Sequence, residues 1–351
     1  MIYNNTLWNE DIHQIICSLP ELEELAGQSI LVTGAGGLIC SSIIDVFLQF
    51  NETHDKKITI IAAARTKEKI KNRFGDLADN NHFIFLPYDA NDSNIVIDHQ
   101  VDFIIHGAGN AYPLRIMAEP VETMSSNING AFVLLDYAKR NHVKRFLYIS
   151  SSEIYGIKED KMPYKEDEYG YIDIQNPRNA YSIGKRAAET LCCSYATEYG
   201  VESVIVRPGH IYGPTASKED NRVSSMWAYQ AAAGNNIIMK SDGLQVRSYC
   251  YCLDCASAII KVLLKGKNCD AYNISNPNSI INIREMAQII SAAGSVELIQ
   301  EIPDKQETQG FNPMMNSSLD SEKLEHLGWK GLFDASTGFF HTVQILKDCM
   351  H

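Results

Sequence analysis

Three features of this sequence predict an α/β fold, a doubly wound parallel sheet carrying a smaller α/β lobe toward its C-terminus. Short apolar runs alternate with longer amphipathic stretches as far as Arg207, the rhythm of parallel strands covered by helices. The segment Ser29-Ile-Leu-Val-Thr-Gly-Ala-Gly-Gly-Leu-Ile-Cys40 passes from an apolar strand through a glycine turn into a helical pattern, the local path on which such sheets begin. Beyond Arg207 the rhythm breaks at Pro208-Gly209 and Gly213-Pro214, and the remainder reads as a separate, less regular lobe.

The elements follow in order. Residues 1–27 form a helical extension whose amphipathic stretch at 11–19 is expected to pack on the outside of the sheet. Strands are expected at 30–33, 58–63, 83–86, 103–106, 146–150 and 203–207, each a short apolar run too brief for a helix. Between them, helices are expected near 38–50, 66–74, 119–140 and 178–198. The larger domain spans 28–206 and the lobe 207–351, with helices near 223–233, 282–293 and 335–348; residues 245–262 are expected to return to the larger domain.

Composition narrows the class. A chain of 351 residues can bury a sizeable core. A net charge of −12 without any basic run argues against nucleic acid or an anionic membrane as partner, and no apolar run is long enough to span a bilayer. Nine cysteines in no regular framework, and opening residues without a basic-then-apolar leader, point to a reducing cytoplasm. Cys250, Cys252 and Cys255 include one C-x-x-C spacing but no second pair, and an apolar stretch follows; buried thiols rather than a metal site are expected.

The chemistry lies in three places. Gly34 and Gly37 let the backbone turn tightly beside a pyrophosphate, while the free N–H groups of a helix starting at Leu38 and Ile39 receive it. Cys40 stands where a third glycine would ease helix–strand packing, which should loosen that contact slightly. Tyr181-Ser-Ile-Gly-Lys185 puts a tyrosine and a lysine on one helix face. The ammonium is expected to favour the phenolate and draw Tyr181 toward a pKa where it serves as a base. Ser150-Ser-Ser-Glu-Ile-Tyr-Gly156 stands at the carboxyl end of an expected strand, where open α/β sheets place their ligands.

With these belong Asp89 after the third strand, His106-Gly-Ala-Gly109, Asn127 in Asn-Ile-Asn-Gly130, Arg207-Pro-Gly-His-Ile-Tyr-Gly-Pro214, Arg247-Ser-Tyr-Cys-Tyr-Cys-Leu-Asp254, Tyr272-Asn-Ile274 and Leu327-Gly-Trp329. This ordered set, from Gln28 to about Leu346, resembles the extended short-chain dehydrogenase/reductases of the NAD-dependent nucleotide-sugar epimerase/dehydratase family. The resemblance implies a Rossmann-type domain and a bound NAD. Its contacts would be Gly34, Gly36, Gly37, Leu38, Ile39, Arg65, Asp89, Ala90, Ala108, Asn127, Tyr181, Lys185 and Pro208. It also implies no metal, a nucleotide-diphosphate sugar bound by Tyr112, Ser152, His210 and Arg247, and catalysis by Ser151, Glu153, Tyr181 and Lys185 through a transient 4-keto sugar. Family members commonly dimerise through two long helices, here near 119–140 and 178–198, for which Val121, Ile128, Val133, Leu134 and Tyr137 offer an apolar face.

The residues after Ser151 bear on the reaction. Dehydratases of the family typically carry Asp then Glu there, whereas this chain has Ser152 and Glu153, an order that resembles the UDP-glucuronate decarboxylases. Pro113, Asn176-Pro-Arg178 and Gly184-Lys-Arg-Ala-Ala-Glu189 resemble the same subgroup. Thr215, where decarboxylases usually carry arginine, and His210, in place of a frequent asparagine, depart from it. C4 epimerisation and 4,6-dehydration stay open beside decarboxylation. The expected second strand ends Ala62-Ala-Ala-Arg65-Thr-Lys67 without the carboxylate that usually binds the NAD ribose, so NADP stands beside NAD. A nucleotide sensor without turnover and a reductase consuming external NADPH are the readings from other classes.

Overall fold

Segments such as Ile30-Leu-Val and Ile60-Ile-Ala are apolar on both faces, which suits strands covered from both sides. The computed structural model describes residues 2–159, 162–301 and 314–350. The chain starts with α1 (Thr6–Ser18), whose cap Asn5 accepts the Trp8 N–H. Next come β1 (Ser29–Thr33), α2 (Leu38–Thr53), β2 (Thr59–Ala64), α3 (Lys67–Phe74) and β3 (Phe83–Pro87). The second half-sheet holds β4 (Phe103–His106), α4 (Pro113–Ala118), α5 (Pro120–Asn141), β5 (Arg145–Ile149), α6 (Ala180–Tyr199) and β6 (Ser203–Pro208). There follow β7 (His210–Tyr212), α7 (Val223–Ala232), β8 (Ile237–Met239), β9 (Val246–Tyr251), α8 (Cys252–Lys265), β10 (Asp270–Ile274), β11 (Ile280–Asn282), α9 (Ile283–Gly294), β12 (Leu298–Gln300), β13 (Asn316–Ser317), α10 (Glu322–Glu325) and α11 (Ala335–Met350).

Seven strands form one parallel sheet in the order β3-β2-β1-β4-β5-β6-β10. The chain steps outward from β1 to β3, then returns to the other side of β1 and steps outward again. The reversal opens a crevice beyond the carboxyl ends of β1 and β4, the place where such sheets hold ligands. The fold is of the Rossmann type, as expected. Alternation along each strand separates two cores. Ile30, Val32, Ile60 and Leu147 face α2 and α8, whereas Leu31, Ile61, Phe146 and Ile205 face α5 and α6.

Three expectations need correction. The N-terminal helix starts at Thr6, ahead of residue 11, and packs on α2, α8 and α11. Both sheet faces are already covered, so Trp8, Ile12 and Ile15 bury against the covering helices and make a third layer. A seventh strand, Asp270–Ile274, extends the sheet; its buried Asn273, whose Nδ2 donates to the Tyr164 and Asp320 carbonyls at 2.9 Å, masks the apolar pattern. The helix expected near 119–140 is preceded by a separate short one, because Pro120 has no N–H to continue it.

In the smaller lobe β9 is the hub, paired with β7, β11 and β13. Tyr212 stacks on Phe339 of α11 with ring centroids 3.6 Å apart. Cys250, Cys252 and Cys255 lie in the core, where burial pushes the Cys252 thiol up to about 12. Among the described residues no helix is long and apolar enough to cross a membrane.

The loosening expected at Cys40 is not found, because Gly107 on the facing segment leaves room for its thiol. The thiol donates to the Thr33 carbonyl at 3.3 Å and occupies space that a side chain on Gly107 would need, since a Cβ there would lie 2.4 Å from Cys40 Sγ. Gly107→Ala should therefore destabilise the protein by about 1–3 kcal/mol, and Cys40→Ala should recover most of that loss in the double variant. Urea denaturation of the four proteins in the cycle checks this; additive losses would contradict the packing.

Candidate active site

The glycine turn is shaped by proximity. Gly34 sits at φ +73°, and a Cβ on it would meet the Gly107 carbonyl at 2.9 Å, so both the conformation and the space require glycine. The Gly37 N–H closes the turn on the Gly34 carbonyl at 2.8 Å. Gly37 caps α2 with no side chain, which leaves the first-turn N–H groups of Leu38 and Ile39 directed at the crevice. Thr33 locks the crevice floor. Its hydroxyl accepts the Gly107 and Ala108 N–H groups, each at 3.2 Å, and lies 2.7 Å from His106 Nδ1. Burial, with Lys185 nearby, holds His106 down at about 3, so the ring is neutral and serves as the hydroxyl's acceptor.

The remaining residues expected to touch the cofactor stand at or just past the carboxyl ends of strands, or on α5. Asp89 follows β3 and accepts the Asn91 N–H at 3.0 Å. Ala90 is buried against Gly130. Asn127 on α5 donates to the Thr123 carbonyl at 2.7 Å and accepts from the Tyr148 hydroxyl at 3.2 Å. Arg65 is exposed just beyond β2, and Pro208 ends β6 beside Ile274. A glycine turn, an uncapped helix start and a carboxylate past β3 suit a dinucleotide.

Ser151, Tyr181 and Lys185 meet at the carboxyl end of β5. Ser151 opens the turn Ser152–Tyr155 and accepts the Glu153 N–H at 3.2 Å. Ser151 stands near enough to the buried Tyr181 hydroxyl to ease its ionisation. One helical turn on, Lys185 Nζ donates to the Ile149 carbonyl at 2.7 Å and stands 5.7 Å from the Tyr181 ring centroid. The expected pull of Lys185 on the tyrosine is not what governs it. Burial and the nearby Glu153 carboxylate push Tyr181 up to about 12, opposed by Ser151 and Arg222. Lys185 itself is lowered to about 8 by burial, against Glu189. Glu153 is half-exposed and faces Arg178 at 3.7 Å. No hydrogen bond of the Ser152 side chain occurs among the described residues.

A cationic wall lies across the crevice. His210 is half-buried near Arg247 and Arg222, and desolvation with these charges holds it at about 3, as a neutral ring with an unpartnered Nδ1. Arg247 is buried, donates to the Val246 carbonyl at 2.8 Å, and has no carboxylate partner among the described residues. Arg222, not singled out from the sequence, lies 6.0 Å from the Tyr112 ring and also acts electrostatically on Tyr181, which joins the two halves of the site. Asp220 grips it through Nε at 3.0 Å. A signal existed: an arginine just ahead of a helix start opposes the helix dipole and needs another reason to be there.

A family model described as the NAD dependent epimerase/dehydratase family matches residues 30–275. The chain belongs to this family. UDP-glucuronic acid decarboxylase 6 of Arabidopsis thaliana is 30% identical over 306 residues, covering 86% of this chain and 83% of the relative. Human dTDP-D-glucose 4,6-dehydratase is 26% identical over 335 residues, covering 92% and 91%. The solved UDP-glucose 4-epimerase of Thermotoga maritima superposes with a TM-score of 0.76 at 22% identity, covering 92% of this chain and all of that one, a likeness of fold.

In this epimerase/dehydratase family member Lys185 carries a charge that burial disfavours. Lys185→Met should therefore raise stability at neutral pH by on the order of 1–2 kcal/mol, net of the lost bond to Ile149. The sign follows from the lowered pKa. Below about 8 the native state of the parent bears a buried charge, and that cost disappears as pH rises toward the ordinary 10.5. Denaturation midpoints across pH 6–11 check it: the gap between variant and parent should narrow above about pH 8.

Proposed function

We propose that this chain converts a nucleotide-diphosphate sugar through a transient 4-keto intermediate, with UDP-glucuronate decarboxylation as the reaction. The observation that carries the reading is the convergence of Ser151, at the end of β5, with the buried Tyr181 and with Lys185 one turn further along α6. NAD, held by the glycine turn, Asp89, Asn127 and Lys185, supplies a hydride acceptor when bound. Tyr181 takes the proton of the sugar's C4 hydroxyl, and Ser151 holds that oxygen in place. The tyrosine acts as its phenolate, its own proton having left to solvent; burial and Glu153 oppose that ionisation, and Ser151 and Arg222 ease it. Arg247, a buried guanidinium without a carboxylate partner among the described residues, suits diphosphate oxygens bidentately.

A C4 ketone makes a C6 carboxylate a β-keto acid, so loss of carbon dioxide needs no further group, and in this reading Glu153 handles the proton at C5. Ser152 offers no carboxylic acid to expel a C6 hydroxyl, which disfavours 4,6-dehydration. One observation favours C4 epimerisation as the second reading. Thr215, at the position where decarboxylases carry arginine, is buried, 3.0 Å from Ser42 Oγ and donating to the Leu38 carbonyl at 3.0 Å, so it does not reach a sugar carboxylate.

We infer a homodimer through α5 and α6. Of the apolar face expected there, Val121 stands exposed, Ile128, Val133 and Tyr137 are half-buried and Leu134 turns into the core, while Phe132 and Tyr199 add exposed apolar surface. Nine free cysteines support a reducing, cytoplasmic setting.

Proton NMR of UDP-glucuronate incubated with the protein and catalytic NAD should show a pentose anomeric signal; a galacturonate signal would replace decarboxylation by epimerisation, and an unchanged spectrum would reject both for this substrate. Tyr181→Phe should lower kcat by about 10²–10⁴-fold while the protein still binds NAD. Phe132→Glu should give a monomer in light scattering where the parent is a dimer.

A further inference from the structure

We propose that the ribose end of this dinucleotide site is built for a phosphorylated ribose, so that the chain binds NADP more tightly than NAD. The proposal rests on the dinucleotide cradle of the preceding reading and concerns only the groups beyond β2.

In sheets of this kind the residue ending the second strand faces the adenosine ribose, and a carboxylate there reads its diol. Here β2 ends at Ala64, followed by Arg65-Thr66-Lys67, with no carboxylate. Lys69 completes the arrangement from the first turn of α3. Thr66 caps that helix by accepting the Lys69 N–H at 3.4 Å, which fixes where the lysine leaves the backbone. Its stem then lies across the glycine turn: a Cβ on Gly36 would stand 3.1 Å from Lys69 Cε and 3.2 Å from its Cγ. Gly36 is thus small where the lysine passes, and the ammonium is brought to the rim of the phosphate loop.

Arg65 and Arg115 stand close enough to Lys69 to lower its pKa together with burial. Three cations drawn together on a chain of net charge −12 repel one another unless an anion joins them. Arg115 has an internal partner, Glu119, at 2.8 Å. Arg65 and Lys69 have no carboxylate within ion-pair distance among the described residues. Glu219 is the acid whose field reaches Lys69, and it already accepts a hydrogen bond from Ser217. A phosphate monoester on the ribose 2′ oxygen offers the charge and the acceptor oxygens that Arg65 and Lys69 are free to meet, Arg65 through its planar fork and Lys69 as a point charge. A bare ribose diol would leave both unsatisfied.

The test is a calorimetric titration of nucleotide-stripped protein with NADP and with NAD, repeated with 2′,5′-ADP and 5′-AMP as minimal probes. NADP should bind roughly tenfold or more tightly than NAD, with the same order for the two probes. Arg65→Ala and Lys69→Ala should each weaken NADP by about tenfold and NAD by less than about threefold. Equal or tighter binding of NAD by the parent, or equal losses for both dinucleotides in the variants, would overturn the proposal. The NAD titration reports on the cradle itself, so failure of the ribose reading is separable from failure of the proposed reaction.

Discussion

The site depends on how closely the ends of β1 and β4 approach. Thr33 binds two backbone N–H groups of the β4 loop with one hydroxyl, and Gly34 meets Gly107 at a distance no side chain tolerates. That approach fixes the crevice at the switch point, points the start of α2 into it, and leaves Cys40 the space beside Gly107. Neutral His106 completes the clamp as an acceptor, and it is neutral because it is buried. Hydrogen bonding and burial therefore act together here: a charged His106 would have no proton acceptor to offer Thr33.

The opposite side of the crevice is costly to fold. Tyr181, Lys185, His210 and Arg247 are polar groups withdrawn from water, each shifted by desolvation away from its charged form. Lys185 and Arg247 are partly compensated by backbone carbonyls, and Arg222 by Asp220. Such a wall is poorly designed for stability and well suited to a ligand carrying a diphosphate and a hydroxyl, whose charges and proton complete it. The same logic extends to the rim, where Arg65 and Lys69 wait on an anion.

Much of this was legible in the sequence. Strand periodicity located the six strands within a residue or so, because fully buried parallel strands are apolar throughout; β10 escaped because Asn273 spends its polar atoms inside the protein. The Gly34–Cys40 turn and the Tyr181/Lys185 spacing were legible because both are local. The coupling between distant segments was not: Arg222 reaches the site from the lobe, Arg115 reaches Lys69 from α4, and Gly107 compensates Cys40 from another strand. The behaviour of Tyr181 was misjudged for a related reason. Sequence spacing shows that a lysine is near a tyrosine, but not that the ammonium is committed to the Ile149 carbonyl or that burial outweighs its field.

The central claim is that Tyr181 and Ser151 serve an oxidation at C4 that is reversed before the product leaves. Mass spectrometry of the product formed from UDP-glucuronate carrying deuterium at C4 tests it most directly. The account predicts that turnover is slowed by the label and that the deuterium is found again at C4 of the product. Product formed at the unlabelled rate, or with the C4 deuterium exchanged for solvent hydrogen, would contradict it.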